Sequence, residues 1–253
     1  MSGWRLFYRV PWLLAHLLIG LPLTLLTFLP PFNRPPASGR SVNEVVQAWW
    51  AAMVCRIFGL RRKVSGSFEP GPHLVAANHI SWLDIQLLHS LSTMGFVAKA
   101  EIERWPLAGW LARIGETVFH QRGNHDSSRG VVVTMAERLK NGRKVAIFAE
   151  GGILPGPGIK RFHARLFAAA LESNAWVQPV MVRYVRAGAA DEEVTFLPGE
   201  GFLGNFFRLL ARSPCTAEVW ILPRFRPGDL PRREIALRAQ KAVEQAWASA
   251  PLP

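Results

Sequence analysis

From residue 63 onward, short apolar runs alternate with longer segments in which apolar residues recur at helical spacing. The runs that predict strands are 64–68, 73–78, 94–99, 117–121, 145–149, 177–184, 193–197 and 217–223. The segments that predict helices are 82–91, 106–114, 127–141, 162–173 and 232–248. Alternation of this kind is typical of an α/β domain. We therefore expect a mostly parallel central sheet flanked by helices across residues 63–253.

The segment before this domain has a different character. Residues 10–32 contain no Asp, Glu, Lys or Arg, and a segment of this length matches a membrane span. Pro11, Pro22 and Pro30 interrupt it, and basic residues flank both of its ends. The positive-inside rule therefore favours a kinked segment that dips into one leaflet over one that crosses. A signal peptide is the alternative, although no small-residue cleavage site follows.

A second apolar segment, 42–63, has helical spacing and ends in three basic residues. Trp49 and Trp50 suit the boundary between lipid headgroups and tails, so the pattern resembles an interfacial amphipathic helix. An ordinary core helix has the same periodicity and stays open as an alternative. We predict that residues 1–62 form a membrane-associated helical unit in front of the α/β domain.

The charge of the chain indicates an anionic partner. The formal net charge is +12, and 24 of the 30 basic residues are Arg, whose planar fork suits phosphate and carboxylate groups. Membrane surfaces, phosphorylated substrates and nucleic acid all fit this charge. A nucleic-acid-binding module has no need of the apolar segment at 10–32, so we expect membrane lipids and no nucleic acid. Cys55 and Cys215 lie among apolar residues, which argues against a disulfide framework.

The stretch "NHISWLD" places His79 and Asp84 five positions apart, where a predicted strand passes into a predicted helix. Ligands of open α/β sheets usually bind at the carboxyl ends of the strands. A carboxylate beside an imidazole holds its tautomer and favours the imidazolium, as a general base requires. The alternative is a His–Asp pair that only stabilises the turn.

Other catalytic signatures are absent from the sequence. There is no G-x-S-x-G, C-x-x-C or H-E-x-x-H pattern, which disfavours a serine hydrolase and a zinc enzyme. We therefore expect no metal and no cofactor. A lone His–Asp pair suits direct attack, in which His79 deprotonates a hydroxyl that then attacks an activated acyl carbon.

Two further strand ends carry polar residues. Arg122 and Gly123 follow the run 117–121, and Glu150 precedes a glycine-rich turn after the run 145–149. In a parallel sheet both groups emerge at the edge that holds His79. Arg122 suits a phosphate, and backbone N–H groups of a glycine turn suit an anion. A surface Arg and an ordinary turn are the alternatives.

Taken together, these stretches resemble the glycerolipid acyltransferase family, in particular its 1-acylglycerol-3-phosphate branch. "NHISWLD" resembles the first block, NH-x4-D, which implies that His79 is the base and Asp84 its partner. "VFHQRG" resembles the second block, in which an Arg contacts the acceptor phosphate. "FAEGG" and "VQPVMV" resemble the third and fourth blocks. The implied substrate-binding residues are Arg122, Gly123, Glu150, Gly151, Gly152 and Lys160.

The departures from the family pattern lie in the acceptor-binding blocks. Ala149 replaces a Pro, and Gly152 and Ile153 replace the usual Thr-Arg. His163 replaces a Lys, and the nearby Lys160, Arg161 and Arg165 are the candidates to supply the missing charge. The resemblance implies a membrane-bound acyltransferase that uses an acyl-CoA or acyl carrier protein thioester, on the cytoplasmic face of the inner membrane. We expect 1-acylglycerol-3-phosphate as the acceptor. Another lysolipid, such as lyso-ornithine lipid, is an alternative acceptor, and a non-catalytic adaptor on the same fold is an alternative function.

Overall fold

The computed structural model describes residues 3–34, 39–120, 125–154, 156 and 158–250. A single mixed sheet forms its centre, which confirms the predicted α/β fold. The strands are β1 (Leu60–Ser65), β2 (His73–Ala77), β3 (Gly95–Lys99), β4 (Val118–His120), β5 (Val145–Phe148), β6 (Trp176–Arg186), β7 (Ala189–Ala190) and β8 (Cys215–Ile221).

The strand order is β1-β8-β6-β2-β5-β3-β4, and β7 pairs with β6 outside this path. The neighbours β6, β2, β5, β3 and β4 are parallel to one another, as are β1 and β8. The exceptions are β8 and β7, which run antiparallel to β6. The sheet is therefore mostly parallel, and its central strands β2, β5 and β6 end at one edge.

Helices cover both faces of the sheet. They are α1 (Trp4–Ala15), α2 (Leu21–Leu26), α3 (Val42–Ile57), α4 (Leu83–His89), α5 (Pro106–Ile114), α6 (His125–Lys140), α7 (Ala168–Ser173), α8 (Phe202–Ala211) and α9 (Arg232–Ser249). Alternate residues of β2 enter different cores, because successive side chains of a strand point to opposite faces. Leu74 and Ala76 pack with α6, α7 and α9, whereas Val75 and Ala77 pack with α3, α4 and α8.

Several observed elements differ from the sequence predictions; the predicted strand 64–68, for example, lies at Leu60–Ser65, and the predicted helix 162–173 begins with a 3₁₀ turn at Ala164–Phe167. The predicted strand 193–197 was wrong, since Glu192–Val194 form a short 3₁₀ turn after β7. Helix α8 was not predicted, because its aromatic residues and glycine favour other structures when read locally. The predicted interfacial helix 42–63 ends at Ile57, and its basic tail belongs to β1. The proposed boundary between residues 62 and 63 thus falls inside a strand of the sheet.

The N-terminal apolar segment is helical from Trp4 to Leu26. Its prolines do not end it: Pro11 lies within α1, and a π-helical turn at His16–Gly20 precedes Pro22. Such a turn accommodates a local departure from the regular hydrogen-bond ladder. By length and composition this helix is able to cross a membrane. Its large apolar side chains are mostly exposed, among them Phe7, Leu18 and Ile19.

Arg9 attaches this helix to the rest of the protein. Its side chain is buried, and Nη1 donates to the backbone oxygens of Leu210 and Arg212, both at 2.9 Å. These carbonyls lie at the end of α8, where backbone oxygens have no partner within the helix. Gly59 leaves room for the guanidinium, because a Cβ there would lie 2.4 Å from Arg9 Nη2. The N-terminal apolar helix is therefore held at a fixed position against the α/β domain.

We expect Arg9→Ala to lower the free energy of unfolding by about 2–4 kcal/mol, since two charge-assisted hydrogen bonds are lost and two carbonyls are left without a donor. Denaturant unfolding in detergent measures this change. Arg61→Ala, at an exposed position of β1, serves as the control and should change stability by no more than about 0.5 kcal/mol. Equal stability of the two variants would contradict the role assigned to Arg9.

Candidate active site

The carboxyl end of β2 presents His79 between two neighbouring strands. The residue before it, Asn78, is buried and fixes the strand end to β6: Nδ2 donates to the Val182 oxygen at 2.9 Å, and Oδ1 accepts from the Val182 N–H at 2.7 Å. This pair of hydrogen bonds continues the sheet where the regular pairing of β2 stops. His79 therefore leaves the sheet in a fixed direction.

The turn that follows brings His79 and Asp84 together, as the sequence predicts. His79 Nδ1 lies 2.9 Å from Asp84 Oδ2. The same oxygen accepts from the backbone N–H groups of Ile80, at 2.7 Å, and Ser81, at 3.0 Å. Asp84 stands in the first turn of α4 and is completely buried. A buried carboxylate needs donors to replace water, and this turn supplies them.

Tyr184, on β6, supplies a further donor that the sequence analysis did not find. Its hydroxyl lies 2.6 Å from Asp84 Oδ1 and donates to it. Burial, and then the Asp84 charge, raise the pKa of Tyr184 well above its ordinary value, so the hydroxyl keeps its proton. The only available signal was a polar ring inside an apolar strand, in a chain with two Tyr residues. Both oxygens of Asp84 are thus occupied.

This arrangement sets the tautomer of His79. Because the carboxylate accepts, Nδ1 carries the hydrogen and Nε2 is left as the basic nitrogen. The ring stacks on Phe148, at the end of β5, with centroids 3.7 Å apart and planes inclined by 9°. Phe148 therefore holds the face of the ring, and Asp84 holds its Nδ1 edge. The side chain of His79 is 13% exposed, so only a small part of it reaches solvent.

Glu150 lies beside the pair but is bound to the backbone. Its Oε2 accepts from the His79 N–H at 2.8 Å, and its Oε1 accepts from the Lys160 N–H at 2.7 Å. Burial raises the pKa of Glu150, while the two N–H groups act in the opposite direction. The carboxylate therefore ties the loop before Lys160 to the backbone of His79, a positioning role that the sequence did not indicate.

The other residues of the third block are held in a tight turn. Gly151 has φ +79°, and a Cβ there would lie 3.0 Å from the His163 ring, so both backbone and packing require glycine. Its N–H donates to the Phe148 oxygen at 3.0 Å and is therefore engaged within the turn. Gly152 is partly exposed in the same turn.

Ala149 explains one departure from the family pattern. Its N–H donates to the Ala77 oxygen at 2.9 Å and extends the pairing of β2 and β5 by one bond. A proline has no N–H and could not make this contact. The chain thus gains a hydrogen bond directly below the site at the position where the pattern has Pro.

Arg122 and Gly123 lie outside the described residues, so their predicted contact with the acceptor stays a prediction. The strand before them, β4, lies at the far end of the sheet order from β1 and is parallel to β3. Because β4 is parallel to β3, β5 and β2, its carboxyl end lies at the same edge of the sheet as that of β2, as the sequence predicts.

A cavity of about 360 Å³ opens in front of His79. Its polar lining includes Glu150, Lys160 and Tyr184, and its apolar lining includes Leu154 and Trp247. Lys160 therefore lies at the cavity, and its predicted role in substrate binding stays a prediction. A volume of this size is typical of small-molecule sites.

Neither cysteine offers an alternative nucleophile in this region. Both are free thiols, and burial raises the pKa of Cys55 to about 12 and that of Cys215 to about 11. A thiol reacts as its thiolate, so these groups are inert at neutral pH. The chemistry of the cavity therefore centres on the imidazole of His79.

Fold and site together define an α/β protein with a His–carboxylate pair at the carboxyl edge of a mostly parallel sheet. The family model described as Acyltransferase matches residues 60–183. The chain is 37% identical to the lyso-ornithine lipid O-acyltransferase of Pseudomonas aeruginosa, over 97% of this chain and 95% of that protein. It is 33% identical to the 1-acyl-sn-glycerol-3-phosphate acyltransferase of Neisseria meningitidis, over 59% and 58% of the two chains.

The solved structure of the 1-acyl-sn-glycerophosphate (LPA) acyltransferase PlsC from Thermotoga maritima has the same fold. It aligns with a TM-score of 0.68 and 19% sequence identity, over 96% of this chain and 94% of that one. The protein therefore belongs to the acyltransferase family, as the four sequence blocks predict.

We expect Glu150→Gln to lower both stability and turnover. The amide keeps one acceptor oxygen and turns its NH₂ group toward the N–H of His79 or Lys160, which costs about 1–3 kcal/mol. Thermal unfolding and turnover should be measured on the same preparation. Glu137→Gln, at an exposed position on α6, is the control. If Glu150→Gln unfolds at the same temperature as this control, the carboxylate does not brace the loop.

Proposed function

We propose that this protein is a membrane-bound O-acyltransferase that transfers a fatty acyl group from an acyl thioester to the hydroxyl of a lysolipid. The observation that carries this proposal is the His79–Asp84 pair, whose basic nitrogen Nε2 is left available beside an open cavity. The family to which the chain belongs, and the lipid acyltransferases among its relatives, support it.

In the proposed reaction His79 Nε2 removes the proton from the acceptor hydroxyl. The oxygen attacks the thioester carbonyl carbon, a C–O bond forms, the C–S bond breaks, and the imidazolium returns the proton to the leaving thiolate. Asp84 stabilises the imidazolium while the proton is on the ring. The donor is already activated, so the mechanism needs no nucleophile of the protein.

Lyso-ornithine lipid is our preferred acceptor. The Pseudomonas aeruginosa relative, which is matched over 97% of this chain and 95% of its own length, carries that activity in its name, whereas the 1-acyl-sn-glycerol-3-phosphate acyltransferase of Neisseria meningitidis matches 59% of the chain. The sequence alone predicts 1-acylglycerol-3-phosphate as the acceptor. We keep it as the second candidate because the four sequence blocks resemble those of the 1-acylglycerol-3-phosphate acyltransferases. Arg122 would contact the anionic part of either acceptor.

We further propose that the donor is acyl-CoA or acyl carrier protein and that the active site faces the cytoplasm. The exposed apolar helix Trp4–Leu26 supports membrane association. The fixed contact of Arg9 with the end of α8 would hold the cavity at a set height above the membrane.

We expect His79→Ala to reduce turnover by about 10²- to 10⁴-fold, the usual contribution of a positioned base. Asp84→Asn should also lose most activity, because it removes the charge and disturbs the tautomer of His79. Acyl transfer should be followed with thioester donor and lysolipid acceptor, and unfolding temperature measured on the same samples. A structural pair would instead lower the unfolding temperature and leave the specific activity of the folded fraction unchanged, which would refute the catalytic role.

A panel of acceptors tests the substrate. Purified protein in detergent should acylate lyso-ornithine lipid with a higher kcat/KM than it acylates 1-acylglycerol-3-phosphate. Acyl-CoA and acyl carrier protein thioesters should both be tried as donors, and the preference should hold with each donor that the protein uses. Lipid products are identified by mass spectrometry. No ester product from any lysolipid would indicate the adaptor function, and preference for 1-acylglycerol-3-phosphate would restore the second candidate.

A further inference from the structure

Helix α8 is apolar on all sides but is buried on only one of them. Its two polar side chains are engaged within the protein: Asn205 is fully buried, and Arg208 pairs with Glu200 at 2.7 Å. On the opposite side of the helix, Leu203 is 69% exposed and Phe207 is 54% exposed. A helix without a polar face is normally covered all round. The exposed side of α8 therefore lacks an apolar partner within the described part of the chain.

This exposed side continues the surface of the N-terminal helix. Leu209 and Leu210 of α8 belong to the core on one face of the sheet, and Leu6 and Val10 of α1 pack against that same core. The side chain of Arg9 joins the two helices through the hydrogen bonds described above. Because α1 and α8 cover the same face of the sheet, their exposed sides point away from it together.

An indole ring borders this surface. The ring centroid of Trp105 lies 4.9 Å from that of Phe202, at the start of α8, and Trp105 is 39% exposed. Tryptophan is enriched at the boundary between lipid headgroups and tails. Helix α8 has 10 residues, so it extends about 15 Å, which is half the thickness of the hydrocarbon core. It is therefore too short to cross a membrane and suits a position along one interface.

Helix α8 also holds the catalytic turn and the wall of the cavity. Trp82, in the turn that carries the catalytic pair, donates from Nε1 to Asn205 Oδ1 at 3.0 Å. Asn205 Nδ2 donates to the backbone oxygen of Thr195 at 3.1 Å. Residues 195–198 line the cavity in front of the pair, and the chain then leads into α8. The helix is therefore connected to the active site on two sides.

We propose that the exposed side of α8 lies in the lipid bilayer, as a second membrane contact beside the N-terminal helix. Leu203 and Phe207 enter the acyl-chain region, and Trp105 lies at the level of the headgroups. A bilayer is the partner that fits, because this surface continues that of a helix long and apolar enough to cross a membrane. The contact brings the cavity to the membrane surface, where a lysolipid resides. The inference rests on the proposed function and specifies how its site receives the lipid.

Site-specific labelling tests the location of α8. Leu203→Cys and Phe207→Cys are labelled with an environment-sensitive fluorophore, and the two native cysteines are buried. Leu237→Cys is the control, because Leu237 is an exposed leucine of α9, which packs on the other face of the sheet. In vesicles of phosphatidylethanolamine and phosphatidylglycerol, brominated acyl chains should quench the labels at 203 and 207 and leave the label at 237 unquenched.

Two results of this experiment would overturn the inference. One is the absence of quenching at both positions in protein that is bound to the vesicles. The other is excimer emission from pyrene attached at position 203, which would assign this side of α8 to contact with a second copy of the chain. The quenching pattern does not depend on catalytic activity, so it tests the inference separately from the proposed function.

A double variant, Leu203→Ser with Phe207→Ser, tests the consequence for catalysis. Its kcat/KM for lyso-ornithine lipid in vesicles should fall about 10-fold or more, because two apolar side chains no longer favour the membrane. A short-chain analogue that stays monomeric in water should be acylated as by wild type. Leu237→Ser, the matched control, should change neither rate. Unfolding temperatures should match wild type, since the substituted side chains are exposed.

The outcomes separate this inference from the proposed function. Equal losses of the double variant on the two acceptors, or an unchanged rate on the vesicle acceptor, would overturn the inference while acylation by the wild-type protein upheld the function. Absence of acyl transfer by the wild-type protein to every lysolipid would contradict the proposed function itself.

Discussion

The buried carboxylate of Asp84 is the group on which the arrangement of the site depends. It accepts from the imidazole of His79, from two backbone N–H groups of one turn, and from the hydroxyl of Tyr184. These donors come from the loop after β2 and from β6, so the carboxylate joins two neighbouring strands at their carboxyl ends. An acid with no exposure is stable there only because each oxygen has a donor. Because Asp84 is fixed by these donors, it also fixes the orientation of the His79 imidazole.

Several features of the fold were accessible from the sequence because they depend on neighbouring residues. The central strands are buried on both faces and read as unbroken apolar runs. The His79–Asp84 contact spans five positions and one turn, so its spacing was informative. Helix α5 at Pro106–Ile114 has the predicted bounds, since a proline suits the first turn of a helix.

The remaining features depend on residues that are distant in sequence. The hydroxyl of Tyr184 meets Asp84 across 100 positions, and the only local signal is a polar ring inside an apolar strand. Both oxygens of Glu150 accept from backbone N–H groups of His79 and Lys160, which a local reading of the sequence does not bring together. The run 193–197 has the composition of a strand, but its acidic start turns away after β7. The pairing of Arg9 with the end of α8 likewise required the tertiary structure.

The central claim is that His79 activates the acceptor for direct attack, without an acyl group ever bound to the protein. Intact-protein mass spectrometry after incubation with acyl-CoA alone tests this most directly. The account predicts an unchanged protein mass, and product formation from the same sample once lysolipid is added. An added acyl mass that forms with donor alone and disappears when acceptor is supplied would contradict it.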